Sequence, residues 1–324
     1  MWTASLAPRT VTTYSTGYQS YLNFLIRYQL CHPLRNHHQL PVISEILLQY
    51  FIAYCFSVLH VQCATVKNYL AGIRFVYLRA GIDTCLDHPT APSMSRLQTL
   101  LRGYKKLHIS STKKRLPITY NILTCIVAAL RNGVFGAHDD LVMEAMCSLA
   151  FFGFLRCGEF TCAKSFDPEV NVCIKDVVLH PSQAKCAVNL KTSKTDPFRQ
   201  GVTVNVFATS GSCCPFSSMR LLMFVRLQCG AKPCDAMFTD RGGLPVARSA
   251  FLSWLNIVLC RIGLNPSLYS GHSFRIGAAT TAAHVNIQDH MIKTLGRWSS
   301  DCFTRYIRTP EDDIRRAHSS MARS

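Results

Sequence analysis

Nowhere does the chain run eighteen apolar residues in a row, so no segment is expected to cross a bilayer as a helix. The opening stretch, Met1 to Leu6, lacks the charged start and apolar core of a secretory signal, and an intracellular protein is expected. No two cysteines stand in C-x-x-C spacing. The nearest approach to a ligand cluster is Cys213 and Cys214 with Cys229 and Cys234, too irregular for a zinc site. Sixteen cysteines could suggest a disulfide framework, but in a chain of 324 residues most sit in apolar runs, as Cys55, Cys125, Cys147 and Cys186 do. That usage fits free thiols in a reducing compartment. Internal repeats and low-complexity stretches are also missing.

Acidic residues are scarce, 18 against 35 Lys and Arg, for a net charge of +17. The excess is uneven: residues 1–115 hold thirteen basic and three acidic residues, a net of +10. A strongly basic, soluble chain usually has a polyanionic partner, and nucleic acid comes first. The length allows two domains and at least one sizeable core.

The first part reads as all helix. Tyr14, Tyr18, Tyr21, Leu22 and Leu25 fall at helical spacing. The apolar run Val42–Val58 is entered through Ser44 and Glu45, and Thr65–Ala80 surrounds Leu70, Ile73 and Tyr77 with basic positions before Gly81 stops it. A fourth helix, Ser93–Leu107, ends in Arg102-Gly103-Tyr104-Lys105-Lys106. The tyrosines are expected in the core. Lys67, Arg74, Lys105 and Lys106 are the candidates for DNA contact. Residues 109–118 turn polar, then basic, then break at Pro117, which sets the boundaries: a helical domain 1–108, a linker 109–118, and a second domain 119–324. Lys113, Lys114 and Arg115 could follow a phosphate backbone, act as a targeting signal, or simply be solvated.

Beyond the linker, Thr119 is the expected N-cap of a helix Tyr120–Arg131, and Asp139-Asp140 open a helix to Phe152. Three short antiparallel strands follow at Val177–Leu179, Ala187–Leu190 and Val202–Val206, the last two joined by a hairpin holding Lys191 and Lys194. Helices return over 216–228, 246–261, 272–284, 287–295 and about 300–307, with a short one in the tail. The expected class is mainly α with a small antiparallel sheet.

Candidate functional residues recur among these elements. Arg156 and Glu159, three apart, are set in aromatic and aliphatic neighbours, a costly place for charge without a purpose. His272 and Arg275 can share one face of a helix and address one anion. Tyr306 stands between Arg305 and Arg308, where a phosphate could sit. Singly, each has an ordinary reading: an ion pair, a hairpin-tip lysine, a basic surface helix.

In their order, Arg156 with Glu159, the hairpin lysine, His272-x-x-Arg275, Leu295-Gly296-Arg297-Trp298 and Tyr306 resemble the tyrosine recombinases, the phage-integrase-like site-specific recombinases. The likeness spans nearly the whole chain. Gly296-Arg297-Trp298-Ser299-Ser300 and Arg305-Tyr306-Ile307-Arg308 are most similar to recombinases of eukaryotic mobile elements of the DIRS-like and Crypton type. The resemblance implies a core-binding domain and a catalytic domain forming a C-shaped clamp on double-stranded DNA. It implies four protomers at synapsis, exchanging C-terminal segments within 309–324, and a nuclear location in a eukaryotic host. By the same resemblance Tyr306 is the nucleophile, Arg156 and Arg275 clamp the phosphate, His272 relays a proton, and Lys194 protonates the departing 5′ hydroxyl. Lys191 is the alternative to Lys194. Trp298 packs and donates near the phosphate; Arg297, which the ungapped count from Tyr306 favours, is the alternative. Glu159 and Arg297 stand behind these residues. The phosphotyrosyl bond stores the energy of the cut, so neither a metal nor any cofactor is implied. Two other readings remain open: a type IB topoisomerase, and a non-catalytic DNA-binding descendant of a recombinase.

Overall fold

The computed structural model describes residues 2–31, 40–88, 92–108, 114–163, 165–193, 196, 198, 200–309 and 311–322. They fall into two compact units, 1–112 and 113–324.

The first unit contains α1 (Pro8–Arg27), α2 (Glu45–Ser57), α3 (Cys63–Arg79) and α4 (Pro92–Leu107). Proline at the first position of α1 costs no intrahelical bond, and the Ser44 hydroxyl caps α2 by accepting from the Leu47 N–H at 3.2 Å. One apolar core joins Tyr21, Phe24, Leu48, Phe51, Ile73 and Tyr77. Tyr21 meets Phe51 edge-on at 5.3 Å, and the buried Tyr77 hydroxyl donates to Pro41 O at 2.7 Å. Helices α1 and α3 touch backbone to backbone. A Cβ added to Gly17 would lie 2.6 Å from Tyr69 Cα, and one on Gly72 would lie 2.5 Å from Tyr14 O.

The second unit opens with an extended segment that hydrogen-bonds into its own body: Leu116 N–H donates to Leu268 O at 2.8 Å and Ile118 N–H to Ser273 O at 2.9 Å. There follow α5 (Tyr120–Arg131), α6 (Ala137–Phe152), α7 (Cys157–Phe160), β1 (Val177–His180), β2 (Lys185–Leu190), β3 (Val202–Phe207), α8 (Pro215–Gln228), α9 (Arg248–Arg261), α10 (Ser273–His284), α11 (Asp289–Leu295) and α12 (Glu311–Met321). The sheet is antiparallel in the order β1-β2-β3, with Val188 opposite Val177 on one side and Val204 on the other. This mainly helical architecture with one small sheet bears out the expected fold class.

Two local expectations need correction. Thr119 holds the N-cap position of α5 but its side chain caps nothing; the Tyr120 N–H instead reaches the Thr281 hydroxyl of α10 at 3.2 Å. Helix α6 begins at Ala137, before Asp139. The Asp140 carboxylate folds back to accept the N–H groups of Val134, Phe135 and Gly136, so it organises the preceding turn from inside the helix. Most of α6 is buried, Asp139, Asp140 and Glu144 included, at the centre of a core. Among the described residues no helix is long and apolar enough to cross a membrane.

Candidate active site

The site is built on the end of α6 and the start of α10. Helix α6 stops at Gly153, and Phe154 adopts a left-handed φ of 50°, turning the chain sharply. Arg156 therefore lies beyond the apolar helix and stands at the N-cap of α7. There its N–H donates to Glu159 Oε2 and its Nη1 to Glu159 Oε1, both at 2.9 Å. The same carboxylate accepts from Arg297 Nη2 at 2.7 Å, and Arg297 Nη1 donates to Gly153 O at 3.0 Å. Glu159 thus holds two arginines, one three residues before it and one 138 residues after it.

Helix α10 brings in the other half. A basic surface helix was one reading of this stretch; instead Ser273 through Thr280 are buried. Gly277 permits this, because a Cβ there would collide with the Ile118 backbone at 1.6 Å. Arg275 is 0% exposed. Its Nη1 donates to Phe154 O at 2.6 Å, its Nη2 donates to Gly296 O, and its buried Nε has no partner. Burial, and then the charges of Arg156 and Arg297, pull its pKa down to about 10, so it remains a cation at neutral pH. Burial also lowers Arg297, with Glu159 working in the opposite direction.

Tyr306 follows a 3-10 turn, Asp301–Arg305, and is half-buried among rings. The Trp298 ring lies 5.2 Å from it, and the exposed His272 ring meets it edge-on at 5.0 Å. The Arg275 guanidinium covers the Trp298 face at 4.2 Å and stands 5.9 Å from the Tyr306 ring. Arg297 and Trp298 therefore divide two tasks: Trp298 packs on the tyrosine, while Arg297 faces Glu159. Gly296 makes the turn possible, since a Cβ there would sit 1.7 Å from the Trp298 ring. Chemically, a phenol flanked by an imidazole and a buried guanidinium suits attack on an anionic phosphorus centre.

No protein-family model matches the chain, and neither does any curated protein. Solved structures do. The XerH site-specific recombinase bound to palindromic difH substrate, in a post-cleavage complex, aligns with a TM-score of 0.62 at 14% identity, covering 95% of this chain and 78% of that one. A lambda integrase dimer bound to a COC′ core site aligns at 0.55 and 15% identity, over 93% and 72%. The Tn1549 transposon integrase in complex with transposon right end DNA aligns at 0.54 and 11% identity, over 97% and 99%. The fold is that of the tyrosine recombinases.

On this recombinase fold, the other candidate residues are less uniform. Lys194 and Lys113 lie outside the described residues. Lys191 is half-buried and fully engaged: its ammonium pairs with Asp176 at 2.5 Å and donates to Pro168 O at 2.6 Å and Asn171 O at 3.0 Å. Burial alone would lower its pKa, but Asp176 and Cys173 outweigh that and the net shift is upward. Arg305 is exposed beside Tyr306, whereas Arg308 turns its guanidinium onto Arg305 O at 2.7 Å. Lys114 is exposed; Arg115 donates to Ser267 O and, at 3.3 Å, to Tyr269 O.

In the first unit Lys67, Arg74, Lys105 and Lys106 are all exposed. Lys67, Arg74 and Lys105 border a groove of about 480 Å³ between α3 and α4, floored by Leu70 and Leu101. Arg74 is partly spent on Asp87, at 2.7 Å. Arg102 lines the same groove and was not among the expected contacts; its i, i+3 relation to Lys105 on α4 was the available signal. Among the described residues no three His, Cys, Asp or Glu side chains converge as a metal ion would require.

Proposed function

We propose that the chain cleaves and rejoins double-stranded DNA, with Tyr306 as the nucleophile. The observation that carries this is the convergence of His272, Arg275 and Trp298 on the Tyr306 ring, within a fold shared with DNA-bound recombinases. In the reaction, the Tyr306 phenol loses its proton to His272 and its oxygen bonds to phosphorus. The bond from phosphorus to the 5′ oxygen breaks, and that oxygen takes a proton from Lys194. The engagement of Lys191 with Asp176 favours Lys194 for this step. Arg156 and Arg275 neutralise the charge that builds on the non-bridging oxygens. Removing such a clamp costs on the order of 3 kcal/mol, about a hundredfold in rate. Reversal of these steps with another 5′ hydroxyl rejoins the strand. The basic groove of the helical unit would supply sequence-independent grip on the backbone.

The biological setting we favour is integration or excision of a mobile element, in the nucleus where the host is eukaryotic. The support is the likeness of Gly296–Ser300 and Arg305–Arg308 to DIRS-like and Crypton recombinases. Pairing of two duplexes would require four copies of the chain on DNA.

The direct test uses a library of nicked duplexes randomised at their central positions, from which a covalent protein–DNA adduct cannot religate. Denaturant-resistant adducts are recovered, the DNA is sequenced and the tryptic peptide is analysed by mass spectrometry. Nucleotide on Tyr306, and none with Tyr306→Phe, is the expected result. DNA binding without any adduct from the wild type would favour a non-catalytic binding protein. Relaxation of supercoils without recombinant product, on paired copies of the recovered site, would favour a topoisomerase.

A further inference from the structure

The segment that carries Tyr306 has few bonds of its own to hold it. After the 3-10 turn the Tyr306 N–H is satisfied by Phe303 O at 2.9 Å, but the helix does not continue. In a continuing helix the Tyr306 carbonyl would accept from the N–H four residues on; that residue is Pro310, which has none. In a continuing helix the Arg308 N–H would likewise donate to Thr304 O. Both groups turn instead to one side chain on another element. The Thr280 hydroxyl donates to Tyr306 O at 3.3 Å and accepts from the Arg308 N–H at 3.1 Å. A hydroxyl has one donor and two acceptor sites, so it can make both bonds at once.

Thr280 lies on α10, is 4% exposed, and shares that helix with Arg275 and, at its N-cap, His272. The helix itself is held firmly: Phe274 and Ala279 are fully buried, and Thr281 accepts from the Tyr120 N–H. We infer that Thr280 is a positioning residue for the nucleophile, fixing the Tyr306 backbone against the helix that carries His272 and Arg275. This rests on the strand-cleavage reading above. Its consequence is that one rigid element sets the separation of nucleophile, proton carrier and phosphate clamp. Reacting groups displaced by about 1 Å lose on the order of a hundredfold in rate, so loss of the pin should register in the chemical step.

The experiment measures single-turnover adduct formation on the nicked duplex recovered by the selection, for the wild type, Thr280→Val and Thr280→Ser. Valine keeps the shape and removes the hydroxyl; serine keeps the hydroxyl and removes the methyl. A pin predicts that Thr280→Val slows cleavage by about tenfold or more, while Thr280→Ser stays close to wild type. DNA affinity and unfolding temperature, measured alongside, should be similar for all three. A role in packing alone predicts the reverse order, with serine the more damaged, and that order would overturn the inference. So would wild-type rates in Thr280→Val. If the wild type itself forms no adduct, the strand-cleavage reading fails and this inference falls with it, an outcome distinct from an active wild type with an equally active valine variant.

Discussion

Truncating Glu159 to alanine should destabilise the second unit far more than a single exposed ion pair would. The carboxylate is 4% exposed and accepts three hydrogen bonds, from the Arg156 N–H, Arg156 Nη1 and Arg297 Nη2. Removing one partner of a fully buried pair costs about 3–5 kcal/mol, because the survivor is left uncompensated. Here the arginines keep some solvent, 21% exposure for the Arg156 side chain and 15% for Arg297, so a discounted loss of about 2–3 kcal/mol is expected. Repulsion adds to this, since Arg275 is already lowered by burial and by both neighbours, and Glu159 is the charge that opposes the trend. In a unit of this size the loss corresponds to roughly 4–10 °C in unfolding temperature. The assay is thermal unfolding of the wild type, Glu159→Ala, Arg297→Ala and the double variant at fixed ionic strength. The double variant should be less damaged than the sum of the singles, with a coupling of about 1–2 kcal/mol, since each single strands a charge that the other removes. Additive losses, or a Glu159→Ala midpoint within about 1 °C of wild type, would refute the idea that this carboxylate holds the arginines together.

Replacing Arg275 by methionine should leave the unfolding temperature unchanged or higher while abolishing adduct formation; a large drop in stability would show that the arginine serves the fold. Replacing Lys67 and Lys105 together by alanine should flatten the dependence of log K on log salt by about two, if each neutralises one phosphate, as measured by fluorescence anisotropy with duplex DNA. An unchanged slope would place the DNA elsewhere. Asp87 gives the helical unit an acid sensitivity: burial pushes its carboxyl up, but the Thr84 hydroxyl and N–H and Arg74 together hold it below the usual carboxylate range. Because the folded value lies below the unfolded one near 3.8, the stabilisation is present above that pH and is lost as pH falls through the folded value. Asp87→Asn should therefore flatten the acid limb of the unit's unfolding temperature, and an unchanged limb would refute the assignment.

Much of the fold was legible because periodicity is local. The span of α5 was read residue for residue, and the change from helical to alternating spacing near Val177 located all three strands. The chemical types at the site were legible for the same reason: His272 and Arg275 lie within one turn, and Gly296, Arg297 and Trp298 are adjacent. What stayed hidden depends on tertiary contact. Nothing near Arg156 announces the left-handed Phe154 that frees it from α6 and makes it a cap. Nothing near Glu159 names Arg297 as its second partner. The burial of α10 was missed because its Ala, Gly and Thr residues carry little hydrophobic signal; their small size lets the helix lie against the Ile118 backbone. The placement of Arg297 and Trp298 depends on the indole lying against Gly296, a contact that spacing alone does not encode.

Arg275 suits a purely structural role badly. It is wholly buried and, among the described residues, forms no ion pair; its bonds run to two carbonyls, and its Nε is unsatisfied. The lowering of its pKa from 12.5 to about 10 corresponds to about 3 kcal/mol against the charged form. An uncharged side chain of similar length would fill the space over Trp298 without that cost, as replacements of buried ions by apolar residues commonly do. Glu159 pairs with Arg156 and Arg297 while Arg275 stands unpaired near them, so among the described residues the pocket holds an excess of positive charge. A bound phosphodiester would bring the missing negative charge, and the trigonal bipyramid formed during attack would bring more. The arrangement thus suits an anion, and best of all one whose charge is increasing. The Tyr306 ring stands 5.9 Å from the Arg275 guanidinium, so the phenol proposed as nucleophile lies beside that unbalanced charge.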